Sequence, residues 1–101
     1  MNAIYKYRLD WRGEQTVRVP GFRQVLSVQV QQDAIVAYAL VDAFQDEELD
    51  LERTMTAIDF AVVPTGQLFA PEDPSVAYLG TVQRASGFIG HVFYRTVVAA
   101  R

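Results

Sequence analysis

A chain of 101 residues, 50% hydrophobic and 21% charged, is long enough to enclose one core and too short for two. That balance excludes a disordered chain, and the lack of cysteine excludes disulfides and thiolate chemistry. A net charge of −3 and a pI near 4.9 oppose the electrostatic footprint of a nucleic-acid binder.

From end to end the chain alternates with a period of two. Tyr5, Tyr7 and Leu9 are interleaved with Lys6 and Arg8, which predicts a first strand over residues 3–9. Asp10-Trp11-Arg12-Gly13 turns the chain into a second strand over 15–19. With Gly13 free to take a positive φ, these two strands are expected to form a hairpin. Pro20-Gly21 breaks the chain. In the third strand, over 24–31, Leu26, Val28 and Val30 share a face; Gln32-Asp33 leads into the fourth, over 34–42. Ile35, Val36, Ala37, Tyr38, Ala39, Leu40 and Val41 are apolar on both faces of that strand, so it is expected to be central.

A fifth strand begins between residues 49 and 54 and ends by 63, with Ile58, Phe60 and Val62 on one face. Two prolines, Pro71 and Pro74, keep the following loop out of any ladder. The sixth strand covers 76–83. Ala85-Ser86-Gly87 turns into a seventh over 88–95, extending toward Val97 and Val98. No window carries a helical repeat. The expectation is a single all-β domain over residues 1–101: an antiparallel sandwich or small barrel of about seven strands.

No apolar run approaches the ~20 residues that span a bilayer. Met1-Asn2-Ala3-Ile4-Tyr5-Lys6 enters a strand with no signal-like segment, so a cytoplasmic protein without membrane contact is expected.

Catalytic chemistry has little to work with. His91 is the only histidine, too few for the usual zinc sites, which draw on several His and Cys ligands. A triad of His91 with Ser27, Ser75 or Ser86 lacks a nucleophile elbow around any of those serines. An ordinary exposed or capped histidine is the expectation. No glycine-rich phosphate loop occurs. Gly87-Phe88-Ile89-Gly90-His91-Val92-Phe93 has the wrong spacing for an RNA-binding aromatic strand. Neither an enzyme nor a cofactor or metal site is expected.

Charge is unevenly spread. Asp46, Glu47, Glu48, Asp50 and Glu52 hold five of the twelve carboxylates in a loop with no glycine for a calcium motif. That loop reads as a solvated connection, or as a charged surface offered to a basic partner. Lys6, Arg8 and Arg18 would form one outward basic stripe if the first two strands pair. Such a stripe could guard an edge, meet the acidic loop of another copy, or bind an acidic partner. Among the twelve aromatics, three fall in turns and stand out as contact candidates: Trp11 beside Arg12, Phe44 in the acidic loop, and Phe69. Phe69 could instead plug one end of the sandwich.

The order of short elements is also informative. Ile4-Tyr5-Lys6-Tyr7, Gln15-Thr16-Val17, Leu26-Ser27-Val28-Gln29, Ala37-Tyr38-Ala39-Leu40-Val41-Asp42, Tyr78-Leu79-Gly80-Thr81 and His91-Val92-Phe93 follow one another. In this the chain resembles a small domain of unknown function encoded by many tailed bacteriophages. Members of that family often carry a Gly-Thr-Gly-His turn after the fifth strand, where this chain has Pro64-Thr65-Gly66-Gln67. Residues 96–101 run past the family's usual end. The resemblance implies a phage or prophage origin and brings no catalytic residue.

The leading expectation is a non-enzymatic phage accessory protein that binds a host protein, such as an antiviral-defence factor. Its contacts would come from Trp11, Arg12, Phe44, Phe69 and the acidic loop. A virion or assembly component making homotypic contacts is the alternative. A nucleotide-like small-ligand binder, using an oligomer cleft lined by Arg8, Arg18 and Tyr78, is a third.

Overall fold

The computed structural model describes residues 1–42, 55–69 and 73–98. They form seven strands: β1 (Asn2–Leu9), β2 (Gly13–Pro20), β3 (Phe22–Gln31), β4 (Ala34–Asp42), β5 (Met55–Pro64), β6 (Ala77–Gln83) and β7 (Ile89–Val98). Every pairing is antiparallel. One sheet has the order β1-β4-β3 and the other β2-β5-β7-β6, and the two pack face to face as a sandwich. No helix among the described residues is long and apolar enough to cross a membrane.

β4 is central, as its two apolar faces require. Its inward residues Ile35, Ala37, Ala39 and Val41 are buried against Ile58, Phe60 and Val62 of β5. Leu9, Val19, Val25, Val82 and Val92 complete the core. Each fully buried Val, Leu or Ile stabilises the fold by about 1.5–3 kcal/mol.

The expected hairpin of the first two strands does not form. β1 pairs with β4 along its whole length, Asn2 opposite Asp42 and Leu9 opposite Ile35, while β2 pairs with β5 in the other sheet. A local hairpin would have left β4, apolar on both faces, with one flank uncovered. The longer-range partner desolvates it on both sides instead. Gly13 has the positive φ foreseen for it, +85°, but uses it to carry the chain between sheets. The return crossing from β2 to β3 takes a single residue, Gly21 (φ +62°).

β3 shows a second departure. Its register with β4 shifts between Phe22 and Gln24 and again between Val25 and Ser27. Each bulge inserts a residue and reverses the alternation. Val25, Val28 and Val30 therefore reach the core, whereas Leu26 is exposed. Gln32 and Asp33, at φ 50° and 63°, then make a two-residue turn into β4. β6 crosses close to β3: a Cβ on Gly80 would lie 2.9 Å from Val28 Cγ1.

Candidate functional site

Alternation along β5 and β7 sends Ile58, Phe60, Val62 and Val92 into the core and Asp59, Ala61, Phe93 and Arg95 to the outer face of the four-stranded sheet. The register sets Asp59 directly opposite Arg95. Arg95 donates from Nη2 (2.9 Å) and Nε (3.3 Å) to Asp59 Oδ2, and from Nη1 to Asp73 Oδ2 (2.7 Å). Thr16 of the neighbouring edge strand donates to Asp59 Oδ1 at 2.7 Å. One guanidinium thus ties the β5–β6 connection down onto the sheet.

Phe69 lies on Phe93, ring centroids 4.6 Å apart, and Tyr78 meets the same ring edge-on at 5.5 Å. Phe69 therefore does not plug an end of the core: it rests on the outer face because Phe93 points outward from β7. Beside it Leu68 projects into solvent, 96% exposed. Leu68, Phe69 and Phe93 border a groove of about 900 Å³ that includes Glu14, Asp59, Gln67, Asp73 and Arg95 in its lining. Three carboxylates against one guanidinium make it electronegative, with an apolar rim.

Asp73 is held at about 2, first by hydrogen bonds from the Ser75 hydroxyl and backbone N–H and then by Arg95. Asp59 is lowered too, by the Thr16 hydroxyl and then Arg95. Both carboxyls are depressed in the fold, so their stabilisation is complete above the unfolded value of about 3.9. It is lost as pH falls from there, for Asp73 toward about 2. Thermal unfolding should be insensitive to these groups between pH 7 and 5 and lose stability below pH 4. Asp73→Asn is expected to flatten that acid limb; an unchanged slope would contradict the assignment.

His91 stands on the same face. Thr65 Oγ1 lies 2.7 Å from its Nε2 and Thr81 Oγ1 3.0 Å from its Nδ1, and Tyr78 hydrogen-bonds Thr81 in turn. Both ring nitrogens are capped by hydroxyls, an arrangement that fixes the ring. No serine, carboxylate or second histidine joins it in these bonds.

Trp11 sits at one end of the sandwich, half-buried against the core. Its indole N–H donates to the Asp33 carbonyl (2.9 Å), and its ring packs edge-on to Phe88 at 5.8 Å. Arg84 stacks over the indole at 5.1 Å while its Nε donates to Asp33 Oδ2 at 3.0 Å. Arg12 lies over Phe88 and is exposed. Trp11 thus joins three connections, leaving Arg12 as the solvent-facing member of that pair.

The basic stripe is not formed. Lys6 and Arg8 lie on β1 of one sheet and Arg18 on β2 of the other, because β1 and β2 do not pair. Tyr78, 59% exposed, occupies the edge strand of the four-stranded sheet opposite to Arg18. Within one chain, Arg8, Arg18 and Tyr78 therefore do not converge. Phe44, Asp46, Glu47, Glu48, Asp50 and Glu52 lie outside the described residues. The groove carboxylates Asp59 and Asp73, with Arg95 and Leu68, were not singled out by sequence reasoning. Asp59 between Ile58 and Phe60 was readable as outward-facing. Its meeting with Arg95, 36 residues away, required the β5–β7 register.

These features define a β-sandwich whose four-stranded sheet bears, on its outer face, a groove with an acidic lining and an aromatic rim. The chain belongs to the family described as Domain of unknown function (DUF7352), whose model matches residues 1–101. The match reaches Arg101, so residues 96–101 fall within it. No curated protein and no solved structure matches the chain.

Proposed function

We propose that this protein is a non-enzymatic, phage-type accessory protein that acts in the host cytoplasm by covering a basic surface of a host protein, such as an antiviral-defence factor. The groove on the four-stranded sheet carries this reading. Glu14, Asp59 and Asp73 outweigh Arg95 there, and Leu68 and Phe69 (37% exposed) supply apolar anchors beside them. Buried anchors ringed by complementary charge are how compact interfaces obtain affinity and orientation. The same carboxylates repel a phosphate, which disfavours the nucleotide-binding alternative. The acidic residues 46–52 would add to steering of a basic partner.

The test is retention of a host protein from bacterial lysate on the immobilised chain. Leu68→Ser with Phe69→Ser is expected to weaken the recovered complex by roughly 30-fold, the loss of about 2 kcal/mol typical of an anchor. Neutralising Asp46, Glu47, Glu48, Asp50 and Glu52 should slow association at low salt. Recovery of no host protein, or a complex indifferent to both sets of changes, overturns the reading.

A further inference from the structure

We infer that β1 is a dimerisation edge, at which two copies pair antiparallel to build one continuous sheet with three strands from each. Among the described residues, four strands stand at sheet edges: β1 and β3 in one sheet, β2 and β6 in the other. Three of them are blunted. β3 carries two register breaks and β6 one, between Tyr78 and Gly80. β2 ends on Pro20, which has no N–H to donate, and its Gln15 side chain bonds back to the backbone of Asp10. Bulges and proline are the usual means of stopping strand addition.

β1 has neither device. Its eight residues pair with β4 in unbroken register, and none of the described residues pairs with its other edge. Ile4 and Tyr5 are exposed there by 62% and 43%, a large apolar and an aromatic residue on opposite faces of one strand. Of the two cations on β1, Arg8 lies near the end of the strand, and Lys6, near its middle, is engaged across the sheet. Lys6 Nζ reaches back across β4 to Gln31 Oε1 of β3, at 3.3 Å.

The sequence of β1 suits a particular register. A two-fold axis normal to the sheet keeps faces matched, so the axis must pass through one residue and its equivalent. Centring it on Tyr5 sets Tyr5 beside Tyr5 of the partner subunit and Lys6 beside Ile4 of the partner subunit. Arg8 then faces Asn2 of the partner subunit, and no two cations oppose each other. Centring on Lys6 would set two ammonium groups side by side, which is unfavourable. The Tyr5 register also pairs more residues than one centred on Ile4. Both grooves, carried by the other sheet, stay open in this dimer, so the assembly is bivalent for whatever binds them.

The experiment is sedimentation of the full chain over roughly a hundredfold range of concentration. The mass is expected to rise from 11.4 kDa toward twice that value. Ile4→Lys places a second cation against Lys6 of the partner subunit at two symmetric sites and should weaken the dimer about tenfold. Ile4→Glu at the same exposed position should strengthen it by a similar factor. Because the chain has no cysteine, Tyr5→Cys should cross-link to a dimer on mild oxidation, while Ser86→Cys should not. A monomer at every concentration, a dimer weakened by both Ile4 variants or by neither, or no preference for the cysteine at position 5, each overturns the inference. Loss of the dimer leaves the groove intact, so this result and the host-protein test fail separately.

Discussion

Gly21→Ala is expected to be among the most damaging single substitutions, costing about 3–4 kcal/mol. Gly21 alone carries the chain from β2 to β3, out of one sheet and into the other. Its φ of +62° already penalises any Cβ by about 1–2 kcal/mol. In addition, the new methyl would overlap the backbone carbonyl oxygen of Asp42, whose N–H donates to the Gly21 carbonyl at 2.7 Å. Backbone cannot rotate aside as a side-chain tip can, so the corner must open. For a domain of this size the loss corresponds to a fall in Tm of roughly 15 °C. Gly66→Ala is the control. Its φ is +89°, yet a Cβ there meets nothing within 4 Å, so it should cost about 1 kcal/mol. Urea unfolding of both variants decides the matter: equal losses would show that the Asp42 contact contributes nothing.

Trp11→Ala is expected to cost about 3 kcal/mol, at the lower end for a large aromatic because the ring is half-buried. Three losses combine: the edge-on contact with Phe88, the stacking of Arg84, and the partner of the Asp33 carbonyl. The turn Gln32–Asp33, with two non-glycine residues at positive φ, would then lose one of the bonds that hold it. Trp11→Phe keeps the ring but not the donor and should cost about 1 kcal/mol. Urea titrations of the two variants measure both values, with near-ultraviolet circular dichroism reporting the packing of Phe88. A loss below 1 kcal/mol for Trp11→Ala would mean that the three connections hold without it. The stability cost also shapes any test of binding at this end: Arg12, exposed over Phe88, is the informative position.

Turn position and residue type marked Trp11 and Phe69 as notable, but those signals do not say what an aromatic ring rests on. Phe69 sits on Phe93 because the loop before β6 folds over the sheet, and Arg95 holds that loop through Asp73. The groove arises from a register between strands far apart in the chain, and neither Asp59 nor Arg95 carries a mark of it locally. Likewise Leu26 looked inward by alternation, and two bulges in β3 turned it out.

What the sequence alone determined is the pleat. Period-two patterning gave seven strands, the inward set Ile58, Phe60 and Val62, and the central place of β4, because in a strand without bulges alternation alone sets the face a side chain takes. Pairing was decided by the tertiary structure. Whether β1 joins β2 or β4 depends on which arrangement leaves less apolar surface in water, a comparison made over the whole molecule at once. That choice split the basic residues between two sheets, built the acidic groove, and left β1 with an edge that none of the described residues pairs.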